Sequence, residues 1–147
     1  MPDAYDRATF RRLAELRLSE AKLLARGGYP CGAYYLAGYA IECALKAHIA
    51  AQFKENQIPD KAFVNDIYTH DLKKLIRLAG LESELDSARQ SDAAFGQKWT
   101  VVEGWTEQSR YEIWTDEAAS AMIEAVAGTT ETEGVLQWLT RRWQTGN

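Results

Sequence analysis

Residues 33–47 read Ala33-Tyr34-Tyr35-Leu36-Ala37-Gly38-Tyr39-Ala40-Ile41-Glu42-Cys43-Ala44-Leu45-Lys46-Ala47. At 100° per residue, Tyr34, Leu36, Ala37, Ala40, Ile41, Ala44, Leu45 and Ala47 spread apolar surface almost all round a helix. Such a helix belongs in the centre of a core. Pro30 suits its first turn, and it is expected to run from about Pro30 to Lys54. Gly38 and the many alanines allow neighbours to approach closely.

Outward from this helix, punctuation marks further ones. Asp3 or Asp6 can cap a first helix running to about Arg26, ended by Gly27-Gly28. Residues 55–68, with Pro59, read as a connection. Thr69 can cap a short third helix ending at Gly80, and a fourth spans Leu81 to about Gln90. Residues 91–114 are ambiguous. Trp99-Thr100-Val101-Val102 could pass for a strand, but a single strand has nothing to pair with. Thr115 caps a fifth helix that carries Asp116 and Glu117 in its first turn and ends near Gly128. Thr130 with Glu133 makes a capping box for a last helix to about Trp143. No β alternation persists. The expectation is a single all-α domain over residues 1–147, an up-and-down bundle of five to six helices.

Composition excludes several classes. The 147 residues carry 17 basic and 21 acidic side chains, for a formal charge of −4. That argues against a generally basic nucleic-acid binder, though not against a local patch. The longest apolar run, Ala33 to Leu45, is interrupted by Glu42 and too short to span a bilayer. The charged N-terminus does not read as a secretory signal. Cys31 and Cys43, if on one helix, lie about 18 Å apart, whereas a disulfide needs under about 7 Å. Reduced thiols and a cytoplasmic setting are expected. Two His and two Cys give no recognisable metal spacing, and no cofactor is expected.

Two helix faces carry candidate chemistry. Residues 7–26 hold six basic residues against two acids. Arg7, Arg11, Arg12, Lys22 and Arg26 share one sector, either a solvated face or a surface for phosphate or an acidic partner. Arg17 falls instead within the apolar face of Phe10, Leu13, Ala14, Ala21 and Leu24. It needs an acid from another helix, a cleft or another subunit, unless its stem snorkels over apolar surface. On the central helix Tyr35, Tyr39, Glu42 and Lys46 fall in a stripe about 60° wide. Glu42 and Lys46 have the order that favours an i,i+4 ion pair. The stripe is either a structural pair on the one wet edge or a polar cleft in which Glu42 holds Arg17 or a substrate. His48, on the apolar side, reads as a core or helix-end histidine.

These residues bring out a resemblance. Residues 33–47 look like the signature helix of the HEPN family (higher eukaryotes and prokaryotes nucleotide-binding). Ala21-Lys22-Leu23-Leu24 before it agrees in order, as do Thr69-His70-Asp71-Leu72 with Lys73-Lys74-Leu75, and Trp99, Trp105 and Ser109-Arg110-Tyr111-Glu112. The resemblance covers roughly residues 7–128. It implies a bundle of four to six helices that dimerises, and a role with nucleotides or RNA. Many members are metal-independent RNases that use an Arg followed four to six residues later by His. Some of these are toxins paired with a small nucleotidyltransferase. Here the positions upstream of His70 are Phe63, Val64 and Asn65, and those upstream of His48 are Ile41, Glu42 and Cys43. Neither window holds an Arg, so the usual RNase activity is not expected.

The candidate ligand-binding set is therefore Arg17, Tyr35, Tyr39, Glu42, Lys46, His70, Arg110 and Tyr111. Arg110 beside Tyr111 suits a phosphate with a base stacked on the ring. Three readings follow. One is a dimeric HEPN-like domain binding a nucleotide or RNA. Another is an interaction module for a separately encoded nucleotidyltransferase. The third is a divergent RNase using His70 and Arg110.

Overall fold

In the computed structural model, which describes residues 6–145, Asp6 opens the first helix. Its carboxylate accepts from the Thr9 N–H at 2.7 Å. The alternative cap, Asp3, lies outside the described residues. Helix α1 (Arg7–Arg26) turns through Gly27–Tyr29 into α2 (Pro30–Ala50). The two pack side by side through Ala14 and Ala21 of α1, both fully buried.

Helix α2 is the axis of the fold. Twelve of its residues are buried, Glu42 among them. Helices α7 (Asp116–Ala127), α8 (Val135–Thr145) and α4 (Leu72–Leu78) cover its other sides. Between these lie α3 (Lys61–Ile67), α5 (Glu82–Ser91), α6 (Ala93–Glu103) and a short 3-10 turn, Glu107–Tyr111. The described residues are thus all-helical, but with eight α-helices where five or six were expected. None is long and apolar enough to cross a membrane.

The differences have local causes. Helix α2 stops at Ala50, four residues before Lys54. Within the supposed connection, Asp60 starts α3 by accepting from Phe63 N–H at 3.0 Å. The cap of α4 is Asp71, which accepts from Lys73 and Lys74. Thr69 instead accepts from the Asp71 N–H. The Trp99–Val102 stretch is helical. Asp92 caps α6, whose buried Phe95, Trp99 and Val102 recur at helical spacing. Thr115 caps α7 as expected. The Thr130–Glu133 box does not form. Gly128 and Glu133 instead bridge across a tight turn, and α8 begins after Gly134. Gly128 has φ +75°, and a Cβ there would run into Thr132–Gly134 backbone.

His48, half-buried near the end of α2, lies within electrostatic reach of three other helices. Burial lowers its pKa from the usual 6.5; Glu84 of α5 opposes that shift, while Arg142 of α8 and Arg11 of α1 add to it. A lowered histidine pKa means that folding releases a proton in mild acid. The associated stability is complete above pH 6.5 and is lost as pH falls toward and through the folded value. His48→Gln should therefore flatten the acid-side loss. Urea unfolding at about pH 7 and about pH 5 measures it; equal losses in variant and wild type would refute the assignment.

Candidate functional site

The polar stripe of α2 faces the 3-10 turn and the start of α4. Tyr35 and Tyr39 lie against Trp105, with ring centroids 5.7 and 6.4 Å away. Trp105 is 2% exposed and donates through Nε1 to the Tyr35 carbonyl at 3.0 Å. Gly38 makes room for it: a Cβ at that position would sit within 2.5 Å of Trp105 Nε1 and nearer still to two ring carbons. The tryptophan thereby fixes where residues 106–111 leave the core.

Glu42 is the buried charge at the centre. It is 1% exposed, and its Oε2 accepts from Lys46 Nζ at 3.2 Å. Both its oxygens lie 3.0 Å from His70 Nδ1. Two partners make the burial of this charge tolerable. The i,i+4 pair forms as its order suggests, but inside the protein and not on a wet edge. As a carboxylate Glu42 only accepts, so His70 Nδ1 carries hydrogen and Nε2 is the atom left for other chemistry. Nε2 points to Glu107, 3.5 Å from its Oε1. That same oxygen lies 3.5 Å from Arg110 Nη2. The Arg110 guanidinium sits 4.9 Å from the Tyr111 ring centre, and Tyr111 is 69% exposed.

The neighbouring hydroxyls and thiol are held protonated. Burial pushes Tyr39 up to about 12, with Cys43 and Glu42 adding to the rise. Burial likewise raises Tyr35, with Arg110 pulling against it. Cys43, pushed up to about 12 by burial and then by Glu42, is not a nucleophile.

Of the expected residues, Tyr35, Tyr39, Glu42, Lys46, His70 and Arg110 thus meet along one side of α2, with Tyr111 beside Arg110. Arg17 is half-buried and, among the described residues, takes no acid from another helix, as its snorkelling alternative has it. Its acid partner is Glu20, one turn further along the same helix, rather than Glu42 or another element. It stays near enough to Tyr39 and Cys43 to favour their ionised forms. The basic sector of α1 is only partly solvated. Arg7, Arg12, Lys22 and Arg26 are exposed, but Arg11 lies 5.0 Å over Trp143 and donates to its carbonyl.

Glu107 was not singled out from the sequence, yet it joins His70 to Arg110. Its i,i+3 relation to Arg110 was a usable signal; its approach to His70 depends on where Trp105 anchors the turn. His70 forms part of the wall of two hollows. One, about 450 Å³, is bounded by Lys73, Glu103 and Glu107; the other, about 630 Å³, by Glu42 and Lys46. Among the described residues no group of three or more His, Cys, Asp or Glu could hold a metal ion. Compared with family models, curated proteins and solved structures, the chain matches none.

Proposed function

We propose that this chain is a HEPN-like domain that binds a nucleotide or RNA and acts as a homodimer without the usual metal-independent cleavage. The observation that carries this reading is the exposed Arg110–Tyr111 pair beside the His70–Glu107 contact. A guanidinium held against an exposed ring offers a phosphate contact and a stacking face together. Tyr35, next to Arg110, extends the aromatic surface. The resemblance of residues 33–47 to the family's signature helix points the same way.

A second reading, the divergent RNase, is favoured by one contact set. Glu107 brings His70 Nε2 and Arg110 Nη2 each to 3.5 Å from one carboxylate oxygen. A histidine oriented by buried Glu42 could move a proton, and Arg110 could offset charge on phosphorus.

Calorimetry with ATP, GTP and a pool of short RNAs tests both. Arg110→Ala should weaken the ligand that binds by about tenfold or more, the worth of one charge-assisted hydrogen bond. No heat with any of them, or an unchanged affinity in Arg110→Ala, would sink the binding reading. RNA cleaved during the titration by wild type, and left intact by His70→Ala, would put the second reading in its place.

A further inference from the structure

The larger hollow beside His70 has the composition of a pocket for a small molecule. It holds about 630 Å³ between the start of α1, the second half of α2 and α3. That volume is typical of ligand cavities, which run about 300–1,000 Å³. Its walls include Phe10, Ile49, Phe53, Val64 and Ile67. Its basic lining groups are Arg7, Lys46 and His70.

Lys46 tells what the polar end would read. Its side chain is only 13% exposed, and its one acceptor among the described residues is Glu42. An ammonium has three donors, so two remain without a protein acceptor. Arg7, at the same cavity, makes no ion pair among the described residues. A ligand that supplies acceptors here meets the remaining ammonium donors of Lys46 and the guanidinium of Arg7. The charge balance limits how much negative charge it can bring. Asp6 and Glu42 also line the cavity and offset Arg7 and Lys46. A nucleoside polyphosphate would bring more negative charge than these groups can compensate, and its ribose hydroxyls would lose water against apolar walls without gaining partners. A single carboxylate on an apolar body suits both halves. The aromatic walls, Phe10 and Phe53 with Tyr39 and Tyr68, favour a ring in that body.

We propose that this cavity is a binding site for an amphipathic monocarboxylate whose ring-bearing body lies among Phe10, Phe53 and Ile67 and whose carboxylate accepts from Lys46 and Arg7. The site borders that of the RNA reading at His70, which lines this cavity, but it uses neither Arg110 nor Tyr111.

The test is calorimetric titration of the purified protein with 4-phenylbutyrate, its neutral counterpart 4-phenylbutanol, and AMP. The acid should bind about tenfold tighter than the alcohol, the worth of one charge-assisted hydrogen bond. Arg7→Gln, at an exposed position, should cut that advantage to about threefold. Val64→Trp, which fills the cavity from half-buried α3, should abolish binding of the acid while Arg110-dependent RNA binding persists. Circular dichroism checks that this variant keeps its helices; if it does not, the acid–alcohol ratio and Arg7→Gln decide alone. No binding of the acid, equal binding of acid and alcohol, or acid binding undiminished in a folded Val64→Trp would each overturn the proposal. AMP displacing the acid from the cavity would overturn it too, in favour of a nucleotide.

Discussion

Gly38→Ala should destabilise the protein by about 2–3 kcal/mol, although alanine is the better helix former. Alanine gains about 1 kcal/mol of helix propensity over glycine. Against that stands the overlap of its methyl group with the Trp105 ring. Overpacking a well-filled interior costs about 1–3 kcal/mol and occasionally more. Here the cost lies at or above the top of that range, because Trp105 cannot retreat. It is 2% exposed and tied through Nε1 to the Tyr35 carbonyl. Displacing it breaks that bond and moves the turn that carries Glu107 and Arg110. Thermal unfolding should show a midpoint lower by about 6–12 °C, at roughly 3–4 °C per kcal/mol for a chain of this size. Trp105→Phe in the Gly38→Ala background should recover part of the loss, since the smaller ring vacates the overlap. A Gly38→Ala protein as stable as wild type would show that the notch at residue 38 is not needed.

The second large effect concerns the buried ion pair. Lys46→Met should cost about 3 kcal/mol, because it leaves the Glu42 carboxylate buried with only His70 for a partner. The double substitution Glu42→Leu with Lys46→Met should fold within about 1 kcal/mol of wild type, since well-packed apolar pairs replace buried ion pairs without net loss. His70, whose side chain is 42% exposed, can then turn to water. Denaturant unfolding of the single and double variants measures the contrast. If the double variant is as weak as Lys46→Met, the pair is a source of stability. If it is as firm as wild type, the charge at residue 42 is kept for orienting His70 and the groups beyond it.

What could be read from the chain depended on how local the cause was. Helix α2 was legible because apolar residues spread almost all round it from Ala33 to Ala47. The caps Asp6 and Thr115 were legible because each acts within three residues of itself. The pairing of Glu42 with Lys46 follows from spacing on a single helix. Helix α6 was hidden because Val101-Val102 favours strands by branching, and only burial of Phe95, Trp99 and Val102 together outweighs that preference. Asp71 and Thr69 are both capping residues, two positions apart, and their competition is settled by geometry that residue type does not reveal. The partner of Arg17 was sought too far away, since Glu20 lies one turn along on the same helix. The contact of Glu107 with His70 was not legible at all. It joins residues 37 apart and depends on Trp105 seating against Gly38.

A helix that is apolar on almost every side has to wait for its neighbours. During synthesis, α1 and α2 leave the ribosome first and cover one another's facing sides. The side of α2 that meets α7 stays uncovered until Asp116 has emerged, 66 residues after Ala50. At about 5–20 residues per second, that interval is roughly 3–13 s. For those seconds the nascent chain presents its stickiest surface, so the order of its helices makes it a natural client for whatever guards the exit tunnel.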